Sequence, residues 1–263
     1  MHPFLASLPH PRVLAHRGLV TPELAARGIV ENTAAAVTAA VEAGADIIES
    51  DCRITRDGVV VLTHDEDLAR TLGDPRAIAD VAHRELAALF ADRGGLLTLA
   101  EAFERFPTAR FNIDVKVADA AEAAGRIIAP HAERALINSF SDERRQRALR
   151  AAVAAHPASA APATAPGQSV TMRLLATTGL GMRSARARVL AGLDALQLPE
   201  RQSGIRVVSK RLIEAAHRAG VEVHVWTVND AAHMLRLVEL GVDGIVTDRA
   251  DVALETLRAY RGR

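Results

Sequence analysis

Cysteine is almost missing from this chain: Cys52 is the one thiol in 263 residues. A lone cysteine excludes an intrachain disulfide and any zinc site built from several thiolates, and it is compatible with a reducing compartment. Aromatic residues are scarce too, 3% against 49% hydrophobic residues overall, so the core has to be filled by Ala, Val, Leu and Ile rather than by stacked rings. Neither sign of charge is in excess, because 32 Lys and Arg balance 32 Asp and Glu. Without an overall positive field the sequence argues against nucleic acid or an anionic membrane as partner, and any affinity for phosphate has to be local. Apolar runs are broken by charges well short of the ~20 residues that a membrane-spanning helix needs. The first residues, MHPFLASLPHPRVLAHRG, contain neither a basic leader nor a long apolar stretch, so no signal peptide is expected. A soluble, cytoplasmic protein with no membrane insertion follows as the expectation.

What the chain does contain is alternation. Short β-branched runs take turns with Ala/Leu/Glu/Arg stretches at helical spacing, the pattern of repeated β-α units around a parallel sheet. Eight strands are expected, near 12–16, 45–51, 111–117, 135–140, 171–176, 195–198, 222–228 and 243–248. Helices are expected between them, several closed by glycine, as at Gly44, Gly220 and Gly241. An extended run at 59–63 follows Asp57-Gly58, a turn-forming pair, and should fold back beside the second strand. Residues 156–167, rich in Ala, Pro, Ser and Thr, read as a flexible surface loop, and 65–95 reads as a short connection with no extra domain. The length is close to the roughly 250 residues of one eight-stranded barrel. The fold expected is therefore α/β: a (β/α)₈ TIM-type barrel, a single domain over 1–263, with a short hairpin strand after barrel strand 2.

Side chains alternate across a strand, so Glu49 and Asp51 share one face and Cys52 the other, where a small buried thiol is expected. In Asn112-Ile113-Asp114-Val115-Lys116, Asp114 and Lys116 share a face in the same way. Three acids then converge near the strand C-termini, the end at which such barrels place their sites. Clustered carboxylates repel unless a cation neutralises them, and three oxygen ligands with open positions suit Mg²⁺ or Ca²⁺. Salt bridges to Lys116 and Arg53 would satisfy the same acids without a metal, and spacing alone leaves both readings open. His16-Arg17-Gly18 ends the first strand and His64-Asp65 ends the hairpin strand at the same rim. An imidazole and a guanidinium there would meet a phosphate oxygen and its leaving group. Asn32 reads as the N-cap of a helix from Thr33, and Thr98-x-x-Glu101 as a capping box. Trp226 should share a strand face with His224 and Val228, as an apolar wall for a ligand or as core.

Taken together, His16-Arg17-Gly18, Glu31-Asn32-Thr33, Gly44-Ala45-Asp46, Glu49-Ser50-Asp51, Thr55-Arg56-Asp57-Gly58 with His64-Asp65, Asn112 to Lys116, Ser139-Phe140, Trp226 to Asn229 and Gly241 to Asp248 resemble the glycerophosphodiester phosphodiesterase family. The likeness runs from about 12 to 250 in the family's order. It implies metal-dependent hydrolysis of a small-molecule glycerophosphodiester to glycerol 3-phosphate and an alcohol. It also implies His16 and His64 as general base and general acid, Arg17 and Lys116 on the phosphate, and Glu49, Asp51 and Asp114 as ligands of one divalent ion. Glu31 would be a supporting carboxylate and Trp226 a substrate wall. The family usually has Glu where this chain has Asp114, which puts metal affinity or ion preference in question. Other readings on the same barrel are a lysophospholipase D-like enzyme, a cyclising phosphodiesterase, or a phosphate-ligand-binding barrel without turnover. Oligomeric state is not legible in the sequence.

Overall fold

The structure, a computed structural model, describes residues 1–202 and 204–262. Eight strands form its centre: β1 Arg12–His16, β2 Ile47–Ile54, β3 Arg110–Val115, β4 Ala135–Asn138, β5 Ala163–Thr164, β6 Ala195–Pro199, β7 Glu222–Trp226 and β8 Gly244–Thr247. They pair in parallel in the order β5-β4-β3-β2-β1-β8-β7-β6. The seam between β5 and β6 is bridged at Asp194: its backbone N–H donates to the Thr164 carbonyl and its carboxylate accepts from the Thr164 N–H, both at 2.9 Å. The eight strands thus make one nearly closed barrel, as expected, with helices around it.

The period of two sorts the core into an inside and an outside. Leu14, Ile47, Leu136, Ala163, Ala195 and Val246 pack in one cluster with Phe4 and Leu5 of the N-terminal segment. Their strand neighbours, such as Val13, Ile48, Ile113, Leu196, Val223 and Ile245, pack in another with the apolar faces of the helices. Cys52 is fully buried in that outer layer, and burial pushes its thiol well above the usual range, so it is a small hydrophobe rather than a nucleophile. The hairpin strand Val60–Leu62 runs antiparallel to β2, as Asp57-Gly58 predicts. Residues 65–95 form a small lobe of short helices and a two-stranded ribbon, closed over Val61, Leu68, Ile78, Val81, Leu86 and Phe90. The capping box holds: Thr98 and Glu101 exchange hydrogen bonds at the start of helix Leu99–Arg105. The expected Asn32 cap does not. Thr33 is the N-cap of α1, Ala34–Glu42, and Asn32 instead takes a left-handed backbone and accepts from the Ser50 hydroxyl at 2.6 Å.

The fifth strand is the main correction. Residues 171–176 lie inside α2, Gln168–Gly179, where the buried positions Leu174 and Thr178 are four apart, a helical spacing. The strand itself is only Ala163–Thr164, inside the stretch read as a flexible loop. Short apolar runs do not distinguish strand from helix by periodicity, and at this place the barrel interior takes only the methyl groups of Ala163 and Ala165. The segment is pinned by Asp142 in helix Asp142–Ala155, whose carboxylate accepts from the N–H groups of Gly167 and Val170 at 2.9 and 3.0 Å and from the Ser169 hydroxyl at 2.6 Å. Burial alone would raise that carboxyl, but these bonds hold it below its usual range. The Asp142 contribution is then present in full above an ordinary carboxylate pKa of about 4 and is lost as pH falls through the lower folded value. Asp142→Ala should cost about 3 kcal/mol at neutral pH, and urea unfolding should show the gap to the parent protein narrowing in acid.

Candidate active site

The site stands where β1, β2, β3 and β8 end. Parallel register sets Glu49 of β2 beside His16 of β1 and Asn112 of β3, and Asp51 beside Asp114. All three acids therefore reach the same barrel mouth, as alternation requires. Arg17 and Gly18 turn the chain sharply after β1, both with positive φ. Gly18 is needed there, because a Cβ would lie 2.7 Å from the backbone of Ala36 in α1.

Two cations stand among the acids. Lys116 Nζ lies 2.7 Å from both Asp51 Oδ1 and Asp114 Oδ2. Arg17 Nε lies 3.0 Å from Asp51 Oδ2 without the alignment of a hydrogen bond, while its Nη1 donates to Glu31 at 2.8 Å. Of the two salt-bridge partners left open by spacing, Lys116 takes the role and Arg53 does not: Arg53 donates to the His64 carbonyl at 2.9 Å and so fixes the end of the hairpin strand. Burial, then the charges of Asp51 and Asp114, push the Glu49 carboxyl well above the carboxylate range. Burial raises Asp114 too, against the pull of Lys116. Burial would lower Lys116, but the two aspartates more than offset it.

Each histidine has a carboxylate behind it, a feature the sequence reading did not single out. His16 Nδ1 is 2.5 Å from Asp248 Oδ1, at the end of β8, and its Nε2 turns toward Glu49 at 3.8 Å. Asp248 is held in turn by the Asn229 amide at 2.8 Å, and the hydrogen bond to His16 is the main reason its carboxyl lies below the usual range. His64 Nδ1 is 2.8 Å from Asp65 Oδ1. Arg70 bridges Asp65 at 2.5 Å and Glu31 at 2.6 Å. One ion-pair chain thus runs from Arg17 through Glu31, Arg70 and Asp65 to His64, with Glu31 joining Arg17 to Arg70. Barrel closure offered a signal for Asp248, since β8 must end next to β1; for Arg70, on a lobe without strand pattern, there was none. Trp226 sits half-buried across the mouth, edge-on to the exposed Phe140 ring at 6.2 Å. Its strand neighbour His224 is fully buried in the barrel, bonded to Glu222.

The donor set suits a hard divalent cation. Glu49 Oε2, Asp51 Oδ2 and Asp114 Oδ1 are buried without a hydrogen-bond partner among the described residues, an arrangement that costs free energy unless a cation meets it. As the side chains stand, no three His, Cys, Asp or Glu among the described residues are grouped to hold an ion. Lys116 occupies the space between Asp51 and Asp114. No helix among the described residues is long and apolar enough to cross a membrane.

Comparisons with known proteins point the same way. The probable glycerophosphodiester phosphodiesterase 2 of Mycobacterium tuberculosis is 35% identical over 250 residues, covering 94% of this chain and 90% of that protein. The crystal structure of a glycerophosphodiester phosphodiesterase from Thermotoga maritima superposes with a TM-score of 0.68 at 26% identity, covering 94% of this chain and 99% of that one. A phosphodiesterase of Oleispira antarctica, solved with the product sn-glycerol-3-phosphate, shares the fold with a TM-score of 0.69 at 20% identity, over 95% and 97% of the two chains. A sequence model of the glycerophosphoryl diester phosphodiesterase family matches residues 16–252, and with it the chain belongs to that family.

Proposed function

We propose that this enzyme hydrolyses glycerophosphodiesters to glycerol 3-phosphate and an alcohol, with one divalent cation, Mg²⁺ or Ca²⁺, at Glu49, Asp51 and Asp114 and with His16 and His64 transferring protons. The observation that carries this reading is the group of buried carboxylate oxygens that accept no hydrogen bond, flanked by two imidazoles that each lean on a carboxylate. When bound, the cation neutralises charge on the phosphate and polarises its P–O bonds. Arg17 and Lys116 place positive charge on the nonbridging oxygens. The bond to Asp248 keeps a proton on His16 Nδ1, so Nε2 is free to take a proton from the attacking hydroxyl. His64, held through Nδ1 by Asp65, gives a proton to the departing alkoxide. If the neighbouring glycerol hydroxyl attacks first, a cyclic phosphate forms and water opens it, with the two histidines exchanging roles.

The alcohol half rests in the cleft lined by Asn138, Phe140, Gln168, Gln197, Pro199 and Trp226. The test is release of glycerol 3-phosphate from glycerophosphocholine by purified protein, with chelator or with added Mg²⁺ or Ca²⁺. Turnover that requires the added ion is expected. No release under any metal would remove the activity, accumulation of cyclic phosphate would make the enzyme a cyclase, and faster turnover of lysophospholipid would make it a lysophospholipase D. The orienting role of Asp248 is tested separately. Asp248→Asn should lower kcat on the order of 10²-fold with little change in KM, because it disturbs the tautomer of His16 rather than substrate contacts.

A further inference from the structure

A cleft on the flank of the barrel carries a charge pattern that the rim chemistry does not use. It lies between the turn after α2, the next helix Arg183–Leu190, and helix Lys210–His217. Arg183, Arg186, Arg211 and Arg218 line it, and Glu214 is the one acid in its wall. Glu214 reaches only Arg218, at 3.9 Å. Arg186 is the informative member. It is 7% exposed as a residue, and among the described residues no carboxylate lies at ion-pair distance from its guanidinium, whose nitrogens are not closed off from the open cleft. The other two buried arginines are both paired: Arg12 holds Glu222 at 2.6 Å, and Arg145 holds Asp142 at 3.2 Å. Arg211 reaches across the cleft to the turn, since a Cβ on Gly181 would lie 3.1 Å from its terminal nitrogen.

A guanidinium that faces an open cleft with no carboxylate beside it is free to meet an anion, and its planar fork matches the paired oxygens of a phosphate. We propose that this cleft is a second phosphate site, separate from the rim, in which Arg186 forms the floor and Arg183, Arg211 and Arg218 close over a phosphate group. The chain as a whole is electrically neutral, so the attraction is local to this patch. Two sources present the same chemistry: a soluble phosphorylated compound, or a lipid headgroup beside the exposed Leu180 and Met182 of the turn.

The test uses the full chain carrying Arg17→Met, which weakens phosphate binding at the rim. Titration with inorganic pyrophosphate at low salt should show binding that Arg186→Met and Arg211→Ala each weaken about tenfold or more. Sedimentation with phosphatidylcholine vesicles, with and without phosphatidylglycerol, identifies the source. Co-sedimentation that needs the anionic lipid and is lost in both variants names a headgroup. Pyrophosphate binding without co-sedimentation names a soluble ligand. The proposal fails if neither probe binds, or if both bind equally well after the two substitutions. Arg183 and Arg211 are exposed, so Arg183→Ala and Arg211→Ala keep the test decisive if Arg186→Met does not fold. In the parent background, Arg211→Ala should leave glycerophosphocholine turnover unchanged, which separates this site from the rim.

Discussion

His16→Ala and His64→Ala each lower kcat for glycerophosphocholine by about 10²-fold or more, the usual worth of a positioned general acid or base. The loss is chemical rather than structural. His64 has 37% of its side chain exposed, and neither ring belongs to a hydrophobic cluster, so truncation removes little packing. The two variants separate on a diester with a nitrophenol leaving group. That group departs without protonation, so His64→Ala recovers most of its rate on it. His16→Ala does not, because the nucleophile still has to lose a proton. A folded His64→Ala protein with parental turnover would remove the acid assigned here, and equal rescue of both variants would erase the division of labour between them.

Lys116→Met is expected to act on stability and activity together. The Lys116 ammonium is the close counter-ion of Asp114 and shares Asp51 with Arg17, and the two aspartate side chains are 6% and 2% exposed. Removing one partner of a buried pair leaves uncompensated charge and costs about 3 kcal/mol, which for a chain of this size lowers Tm by roughly 6–12 °C. Glu49 adds to the strain. Its carboxyl is raised in the folded state, so its ionisation opposes folding as pH climbs above the ordinary carboxylate range. The Lys116→Met deficit should therefore shrink in mild acid, where the carboxyls take up protons. It should also shrink on adding Mg²⁺ or Ca²⁺, which supply the missing charge. Calorimetry at two pH values, with and without metal, reads both effects. If a divalent ion raises the Tm of Lys116→Met no more than that of the parent, the three carboxylates do not form the cation site. Turnover should fall as well, by about 10²-fold, with the charge that Lys116 places beside the phosphate.

Much of this was legible in the sequence, because much of it is local. Alternation at Glu49, Asp51 and Cys52 follows from the pleat and needs no partner strand, and the structure places the two acids at the barrel mouth and the thiol in the outer layer. Asp57-Gly58 specified its hairpin, and Thr98 with Glu101 its helix start, through contacts a few residues apart. The fifth strand escaped because it is two residues long and fills the barrel with alanines, which carry no periodic signal. Asn32 escaped as a cap because its hydroxyl partner, Ser50, lies 18 residues away on another element.

By itself, then, the amino-acid order determined the repeated β-α pattern, the family likeness and the faces on which the chemical side chains lie, since all of these arise from neighbours within a turn or a pleat. Only ring closure decided the rest. It brought Asp248 against His16 across 232 residues and Asp51 against Lys116, while the lobe at 65–95 carried Arg70 to Glu31. Closure also left Arg186 on the flank with no carboxylate at ion-pair distance among the described residues. Such pairings depend on how distant segments meet when the barrel shuts, and no spacing along the chain encodes that distance.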